Sequence, residues 1–341
     1  MKKQVLITGG TGYIGSHTAV EFIEAGYEVL IIDNLSNSKI DSLDGIEKIT
    51  GTKPEFAQFD LTDKLKLNDF FEAHPNIEAI IHFAAYKAVG ESVAKPMMYY
   101  QNNLGSLMNL LEMTKKYKTK SFVFSSSCTV YGEPEELPVK ENSPVQEATS
   151  PYGNTKQIAE EIIRDFMKVE QDLKSIALRY FNPVGAHESA EIGELPLGVP
   201  NNLVPFITQT AIGIRKELSV FGFDYDTPDG TCIRDYIHVV DLAKAHVIAT
   251  ERLLNNKNKS NYEMFNLGTG TGNSVLEVIK SFEKMSKQKL NYKLVDRRPG
   301  DVVKVYSDTE FANNELGWKT EKNLDDMMLS AWNWENNLKN K

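Results

Sequence analysis

The chain has 341 residues, of which 41% are hydrophobic and 25% charged, and it is long enough for one large α/β domain with a smaller partner. Its formal net charge of -9 argues against a nucleic-acid surface and against binding to an anionic membrane. No apolar run approaches the roughly 18 residues of a membrane span, so we expect a globular protein without one.

The two cysteines, Cys128 and Cys232, fit neither a zinc-binding spacing nor a disulfide framework. We therefore expect no metal site and a location in the reducing cytoplasm.

A glycine-rich loop follows the first predicted strand. Residues 5–8 form a short apolar run, Gly9, Gly12 and Gly15 come next, and a helical pattern continues to about residue 25. Glycines at this place permit a tight turn and bring backbone N–H groups against a pyrophosphate. A second strand at residues 28–32 ends at Asp33, whose carboxylate would bind a ribose and repel a 2′-phosphate. The pattern predicts a dinucleotide site that prefers NAD to NADP.

Four more predicted strands alternate with helices in the first half of the chain. They span residues 56–59, 79–83, 122–124 and 175–178, with helical patterns that include 100–117 and 152–170 between them. This alternation predicts a Rossmann-like, doubly wound parallel sheet. Ligands of such sheets bind beyond the carboxyl ends of the strands, here at Asp60, Phe83, Ala84, Ala85, Lys87 and the serines at 125–127. His82 is interpreted as a strand residue rather than a base. The serines are compatible both with closing a strand and with contacting a substrate.

Residues 150–156 predict a helix start that carries a reactive pair. Ser150 suits the N-cap and Pro151 the first helical position, which places Tyr152 and Lys156 on one face of the helix. A nearby cation and the positive end of the helix dipole favour phenolate over phenol, so Tyr152 is predicted to act as a base near neutral pH. The alternative is an ordinary surface tyrosine and lysine.

Several motifs occur together in the order typical of one family. They are the glycine loop at residues 8–15, residues 33–35 and 87–92, the serines at 125–127 with residues 130–132, Tyr152 with Lys156, and residues 179–182, 200–203, 234–239 and 297–301. This set resembles the extended short-chain dehydrogenases/reductases and, more narrowly, the UDP-glucose (UDP-galactose) 4-epimerases, nearly from end to end. The resemblance implies bound NAD, a UDP-sugar substrate, a smaller mixed α/β substrate domain, and a homodimer formed through helices 100–117 and 152–170.

The resemblance also implies residue roles. Tyr152 would be the catalytic base, Lys156 its partner and a cofactor ligand, and Ser127 the hydroxyl on the sugar's 4-oxygen. The implied cofactor-binding residues are Gly9, Gly12, Tyr13, Ile14, Gly15, Asp33, Asn34, Asn37, Ser38, Asp60, Leu61, Phe83, Ala84, Ala85, Lys87, Asn102, Tyr152, Lys156 and Tyr180. The implied substrate-binding residues are Lys87, Ser127, Tyr152, Phe181, Asn182, Asn202, Leu203, Val220, Phe221, Arg234, Tyr236, Arg298, Asp301 and Val305.

The second half of the chain is predicted to bind the nucleotide sugar. Residues 183–202 form a long loop rich in Gly, Pro and Asn, and such loops in compact proteins are usually functional. Two arginines, Arg234 and Arg298, can clamp a diphosphate, although Arg234 could instead pair locally with Asp235 and Phe221 could be plain core. Expected strands at 237–240 and 264–267 return to the first domain. We therefore expect an NAD-binding domain of residues 1–182 with 236–270, and a nucleotide-sugar domain of residues 183–235 with 271–341.

The expected reaction is 4-epimerisation through a transient 4-keto sugar. A sugar-nucleotide 4,6-dehydratase would need an acid and a base where this chain has Cys128 and Thr129. A noncatalytic NAD-sensing regulator would tolerate loss of Tyr152 or Lys156, and a net dehydrogenase would exchange its NADH with solvent. The chain departs from the family pattern at Cys128, Tyr86 and Val305.

Val305 bears on which sugars are accepted. By the resemblance its position lies beside the sugar's C2 substituent, where a tyrosine would exclude an N-acetyl group. Valine is smaller, so the hypothesis is activity on UDP-N-acetylhexosamines as well as on UDP-glucose and UDP-galactose.

Overall fold

The structure is a computed structural model that describes residues 2–298 and 301–339. Its strands are β1 Gln4–Thr8, β2 Glu28–Asp33, β3 Glu55–Gln58, β4 Ile77–His82, β5 Ser121–Ser127, β6 Lys174–Tyr180, β7 Asn182–Val184, β8 Leu218–Phe221, β9 Ile233–His238, β10 Tyr262–Leu267, β11 Gly272–Ser274, β12 Tyr292–Val295 and β13 Lys304–Val305. Its α-helices are α1 Tyr13–Glu24, α2 Ser42–Thr50, α3 Lys64–Ala73, α4 Val89–Ala94, α5 Pro96–Tyr117, α6 Pro151–Val169, α7 Leu203–Ala211, α8 Val239–Leu254, α9 Val275–Ser286 and α10 Leu324–Lys339. A 3₁₀ turn, Cys128–Tyr131, follows β5, and a π turn, Ala312–Leu316, precedes α10. Within the described ranges, no helix combines the length and apolar character needed to cross a bilayer.

Seven parallel strands form the larger sheet in the order β10-β6-β5-β4-β1-β2-β3. Residues alternate between its two faces: Val5 and Ile7 of β1 pack in one core with α1 and α8, and Leu6 packs in the other with α3, α5 and α6. Because both faces are covered, the central strands contain continuous apolar runs, such as residues 5–7 of β1 and 79–81 of β4. The predicted Rossmann-like α/β fold is confirmed. The strand order reverses between β1 and β4, which is where such a sheet opens a crevice.

A smaller mixed sheet forms around β9, which pairs in parallel with β7 and β13 and antiparallel with β11. A third core holds this sheet together with α7, α9, α10 and the parallel pair β8 and β12. The expected strand at 264–267 does return to the larger sheet, as β10 beside β6.

The expected strand at 237–240 is wrong in two respects. It ends at His238, because the His238 ring accepts a hydrogen bond from the Val240 N–H and caps α8, which begins at Val239. It also belongs to the smaller sheet. The expected domain boundaries after 182 and after 235 fall inside β7 and β9, which pair with each other, and the division into domains stays a prediction.

Candidate active site

Helix α6 begins as the sequence predicted and presents Tyr152 and Lys156 together. Ser150 caps it by accepting a hydrogen bond from the backbone N–H three residues on (3.2 Å), and Pro151 is the first helical residue. The Lys156 ammonium lies 5.9 Å from the centroid of the Tyr152 ring. Lys156 is only 5% exposed, and its ammonium donates to the Ser125 carbonyl in β5 (2.5 Å). The two side chains therefore do not form an ordinary surface pair.

Burial opposes the ionisation predicted for Tyr152. Burial raises the pKa of Tyr152 to about 12, because a buried phenolate loses its hydration, and the hydrogen bond with Ser127 opposes this rise. Burial likewise lowers the pKa of Lys156 to about 8. The ammonium is thus mostly charged at neutral pH, and the role of Tyr152 as a base stays a prediction.

Ser127 ends β5 beside the phenol. Its hydroxyl is hydrogen-bonded to Tyr152 and also accepts from the Thr129 N–H (3.2 Å). It therefore closes the strand, and its contact with a substrate stays a prediction. Burial raises the pKa of the neighbouring Cys128 thiol to about 12, which leaves it protonated and unreactive.

The glycine loop leaves the N-terminus of α1 open beside β4. Gly9 has a φ of +72°, and a Cβ there would lie 2.8 Å from the Ala84 nitrogen. A Cβ on Gly15 would lie 2.3 Å from the Gly9 carbonyl oxygen, so α1 packs directly on the loop. Among the described residues, no side chain caps α1 at Gly12 and no acidic residue lies in its first turn. Unpaired N–H groups at a positive helix end suit the pyrophosphate of a dinucleotide, so these residues fit NAD.

Asp33 ends β2 next to this loop. Its carboxylate accepts hydrogen bonds from the N–H groups of Thr11 (3.2 Å) and Leu35 (2.9 Å) and from the Ser38 hydroxyl (3.3 Å). An acid fixed in this way beside a phosphate site is the arrangement that accepts ribose hydroxyls and disfavours a 2′-phosphate.

The other predicted cofactor residues lie along the carboxyl edge of the larger sheet. Phe83, Ala84, Ala85 and Lys87 follow β4, and Asn102 lies on α5. Asn34 donates a hydrogen bond to Asp60 (2.9 Å). Leu61 is buried, whereas Asn37 is exposed. Tyr180 is buried, with its hydroxyl hydrogen-bonded to His246 Nε2 (2.7 Å). Buried His82 is bonded to the Thr8 hydroxyl (2.8 Å), and burial lowers its pKa to about 3, which agrees with a strand residue rather than a base.

Arg234 is a half-buried cation in β9 without a carboxylate partner. Among residues 2–298 and 301–339 it forms no ion pair, and its Nη1 donates to the preceding carbonyl (2.9 Å). Asp235 instead accepts from the hydroxyls of Thr269 (2.7 Å) and Ser307 (2.5 Å), so the alternative of a local Arg234–Asp235 pair does not hold. The positive charge of Arg234 lowers the pKa of Cys128, which places it near the end of β5. Such a cation suits a phosphate.

Arg298 lies at an exposed rim of the smaller sheet. Its guanidinium donates to the Asp301 carboxylate (2.6 and 3.2 Å) and lies 5.5 Å from the Phe221 ring. Phe221 is 42% exposed, so it is not plain core and can offer an apolar wall, whereas Val220 is buried in the smaller core. Pro299 and Gly300 of this motif lie outside the described residues.

The remaining predicted substrate residues flank the two sheets. Phe181 and Tyr236 are buried, Asn182 begins β7, and Asn202 and Leu203 begin α7. Val305 in β13 pairs with Arg234, is 8% exposed, and packs in a cluster that includes Phe181 and Cys128. Three distant parts of the sequence thus meet beside Ser127.

Sequence reasoning missed two carboxylates. Glu194 accepts a hydrogen bond from Asn202 Nδ2 (2.5 Å) and lies 3.7 Å from the Lys87 ammonium, so it joins two predicted substrate residues. Glu160 forms a buried ion pair with Arg179 (2.6 Å). Its position four residues after Lys156 is the one signal that could have identified it, whereas nothing local marks Glu194.

Comparison with known proteins places this geometry in a family. A family model described as GDP-mannose 4,6 dehydratase matches residues 6–330. The UDP-glucose 4-epimerase of Bacillus subtilis is 50% identical over 331 residues, which are 97% of this chain and 96% of that protein. The chain belongs to the UDP-glucose 4-epimerase family.

Solved structures of UDP-glucose 4-epimerases have the same fold. One from Stenotrophomonas maltophila with bound NAD and formylated UDP-arabinopyranose superposes with a TM-score of 0.95 at 44% identity, covering 99% of both chains. Another from Bifidobacterium longum, in complex with NAD+ and UDP, has a TM-score of 0.93 at 48% identity and the same coverage. The resemblance of this chain to the UDP-glucose 4-epimerases is therefore confirmed over its whole length.

Proposed function

We propose that this chain catalyses the reversible 4-epimerisation of UDP-glucose and UDP-galactose with tightly retained NAD. The observation that carries the proposal is the convergence of Tyr152, Lys156 and Ser127 at the carboxyl end of β5, on the crevice edge that also holds the open N-terminus of α1. NAD, when bound, supplies the acceptor and donor for the hydride at the sugar's C4. The residues of the chain then manage the proton on the 4-oxygen.

Tyr152 would take and return that proton. Its hydroxyl is buried, so no bulk water competes for the proton, and Ser127 is hydrogen-bonded to it and can hold the 4-oxygen in reach. The Lys156 ammonium stabilises the phenolate from one helical turn away. Positioning of a general base typically contributes about 10²–10⁴-fold to a rate.

Arg234, and Arg298 at the rim, would hold the diphosphate of the substrate. Epimerisation presents both faces of the sugar's C4 to the cofactor, so the binding energy must reside in the nucleotide rather than in the sugar. Arg234 pairs with no carboxylate within the described part of the chain, so it is ready to take a phosphate, whereas Arg298 must first exchange its contact with Asp301.

The composition of the site argues against the alternatives. A 4,6-dehydratase needs an added acid and base after β5, where Cys128 carries an unreactive thiol and Thr129 a hydroxyl. A noncatalytic regulator has no need for a buried lysine beside a tyrosine, and both residues are present.

Incubation of the purified protein with UDP-galactose and no added cofactor tests the proposal. We expect UDP-glucose to form, with no NADH released. Formation of a 4-keto-6-deoxy sugar, or a reaction that depends on added NAD, would instead favour a dehydratase or a net dehydrogenase.

We also propose a homodimer formed through α5 and α6, in the cytoplasm. Met97 and Met108 of α5 are 63% and 47% exposed, which leaves apolar surface on that helix, and the two cysteines are free thiols. Light scattering on the purified protein should give about twice the monomer mass of 38.4 kDa. Substitution of both methionines by glutamate is expected to yield monomers.

A further inference from the structure

Glu160 lies one helical turn after Lys156 on α6. It follows Lys156 by four residues on α6, so both side chains face inward, and the two are 3% and 5% exposed. The Glu160 carboxylate accepts hydrogen bonds from the Ser126 hydroxyl in β5 (2.5 Å) and from Arg179 in β6 (2.9 and 2.6 Å). One carboxylate therefore ties the inner face of α6 to two strands of the sheet.

Arg179 extends this buried network away from the crevice. Its Nη1 donates to the Tyr131 hydroxyl (2.9 Å), which in turn donates to Asn266 (2.6 Å) in β10. The ion pair thus lies within the sheet and below the predicted ligand contacts. A purely structural ion pair would not require a position next to the reactive lysine, and replacing such a pair by apolar residues often costs little stability.

We propose that Glu160 is a positioning residue that keeps the Lys156 ammonium charged and aimed at Tyr152. The importance of the Lys156 charge for the reaction rests on the proposed function. The effect of Glu160 on that charge does not. Side chains four residues apart on a helix are about 6 Å apart, and at an effective dielectric constant of about 20 unit charges at this separation shift a pKa by roughly one to two units.

The two effects on the pKa of Lys156 have the directions that the proposal requires. Burial lowers its pKa and the Glu160 charge raises it. The other titratable groups that face Lys156 or its partners are His82 on β4, Tyr99 on α5, Cys128 and Tyr131 after β5, Glu141 in the following loop, Tyr152 on α6, Arg179 and Tyr180 on β6, and Tyr262 on β10. Burial keeps His82 neutral and raises the pKa values of Glu141, of the thiol and of the five phenols, and Arg179 stays charged. Lys156 is thus the member of this group that titrates near pH 8.

Charge-changing variants of the ion pair test the proposal. Glu160→Gln removes the negative charge that acts on Lys156 and should lower the Lys156 pKa by one unit or more. Arg179→Met leaves the carboxylate alone and should raise it. The double variant, Glu160→Gln with Arg179→Met, has no unpaired buried charge and should give an intermediate value. The pKa is read by NMR of protein labelled at lysine Cε, with the Lys156 resonance assigned by its absence in Lys156→Met.

Glu263→Gln is the matched control. Glu263 forms a similar low-exposure ion pair with Arg252 (2.7 Å), between β10 and α8 and away from α6. It should leave the Lys156 titration unchanged. If Glu160→Gln does not fold, the double variant decides. An unchanged Lys156 pKa in the folded variants, or shifts in one direction for both single variants, would overturn the proposal.

Activity separates this inference from the proposed function. With both correct, the alkaline limb of the epimerisation rate against pH should move down in Glu160→Gln by the same amount as the Lys156 pKa. If the pKa shifts as expected while the rate profile does not, the charge relation holds and the proposed role of Lys156 fails.

Discussion

Replacing Tyr152 by phenylalanine tests the proposed base by removing one oxygen. The ring is half-buried and loses no apolar atoms, and Ser127 keeps its hydrogen bond from the Thr129 N–H (3.2 Å), so the fold should tolerate the change. Loss of a hydrogen bond of this kind costs about 1 kcal/mol of stability, whereas loss of a positioned base slows a reaction by about 10²–10⁴-fold. That factor corresponds to about 3–5.5 kcal/mol of activation free energy. The variant should therefore be nearly inactive while folded.

The assay compares kcat for UDP-galactose with the amount of NAD released on denaturation. We expect unchanged NAD content and a kcat at least 100-fold lower. Tyr117→Phe, which loses a hydroxyl bonded to Asn68 (3.3 Å) at the far end of α5, is the control and should keep full activity. Near-full activity in Tyr152→Phe, or an equal loss in both variants, would refute the proposed role of Tyr152.

The remaining predictions concern charge, sugar choice and acid stability. Lys156→Met should impair both NAD retention and the epimerisation rate, and the change of that rate with pH near 8 should disappear. A pH–rate profile equal to that of the wild type would contradict the proposed role of Lys156. Val305→Tyr should abolish turnover of UDP-N-acetylgalactosamine and spare that of UDP-galactose, because the tyrosine ring fills the volume of the acetyl group. If the wild type does not turn over UDP-N-acetylgalactosamine, or if the variant has an unchanged ratio of kcat/KM for the two substrates, Val305 does not determine which sugars are accepted. Acid should destabilise the fold, because burial lowers the pKa values of four histidines to about 3 or 4. They are His17, His82, His238 and His246. As the pH falls, the unfolded chain therefore takes up protons that the folded chain excludes. Stability that is present above pH 6.5 is then lost as the pH falls towards 4, partly offset by Glu21, whose pKa burial raises to about 7. Equal urea midpoints at pH 7 and pH 5.5 would contradict this reasoning.

The larger sheet could be predicted from sequence because its signals are local. Each strand is an apolar run such as that at 5–8, and the Ser150–Pro151 helix start is written in adjacent residues. The smaller sheet was harder to predict because its strands β7, β11 and β13 have only two or three residues each, and pair with β9 from distant parts of the chain.

The sequence allowed us to predict which residues form the site, but not how burial and neighbouring groups change their pKa values. Helical spacing predicted that Tyr152 and Lys156 share a face, and the resemblance to the family implied their roles. The direction of the Tyr152 pKa did not, since it depends on burial by β5 and on Ser127. Glu194 meets Lys87 and Asn202 only through the fold, and no spacing in the sequence indicates that contact.

The fate of the hydrogen at the sugar's C4 tests the central claim most directly. UDP-galactose carrying deuterium at C4 is incubated with the protein in ordinary water, without added cofactor, and the UDP-glucose is analysed by mass spectrometry and NMR. The proposed mechanism predicts that the deuterium is retained at C4 of the product, because the hydride leaves and returns on the same molecule. Loss of the deuterium to water, or no UDP-glucose from protein that contains NAD, would contradict it.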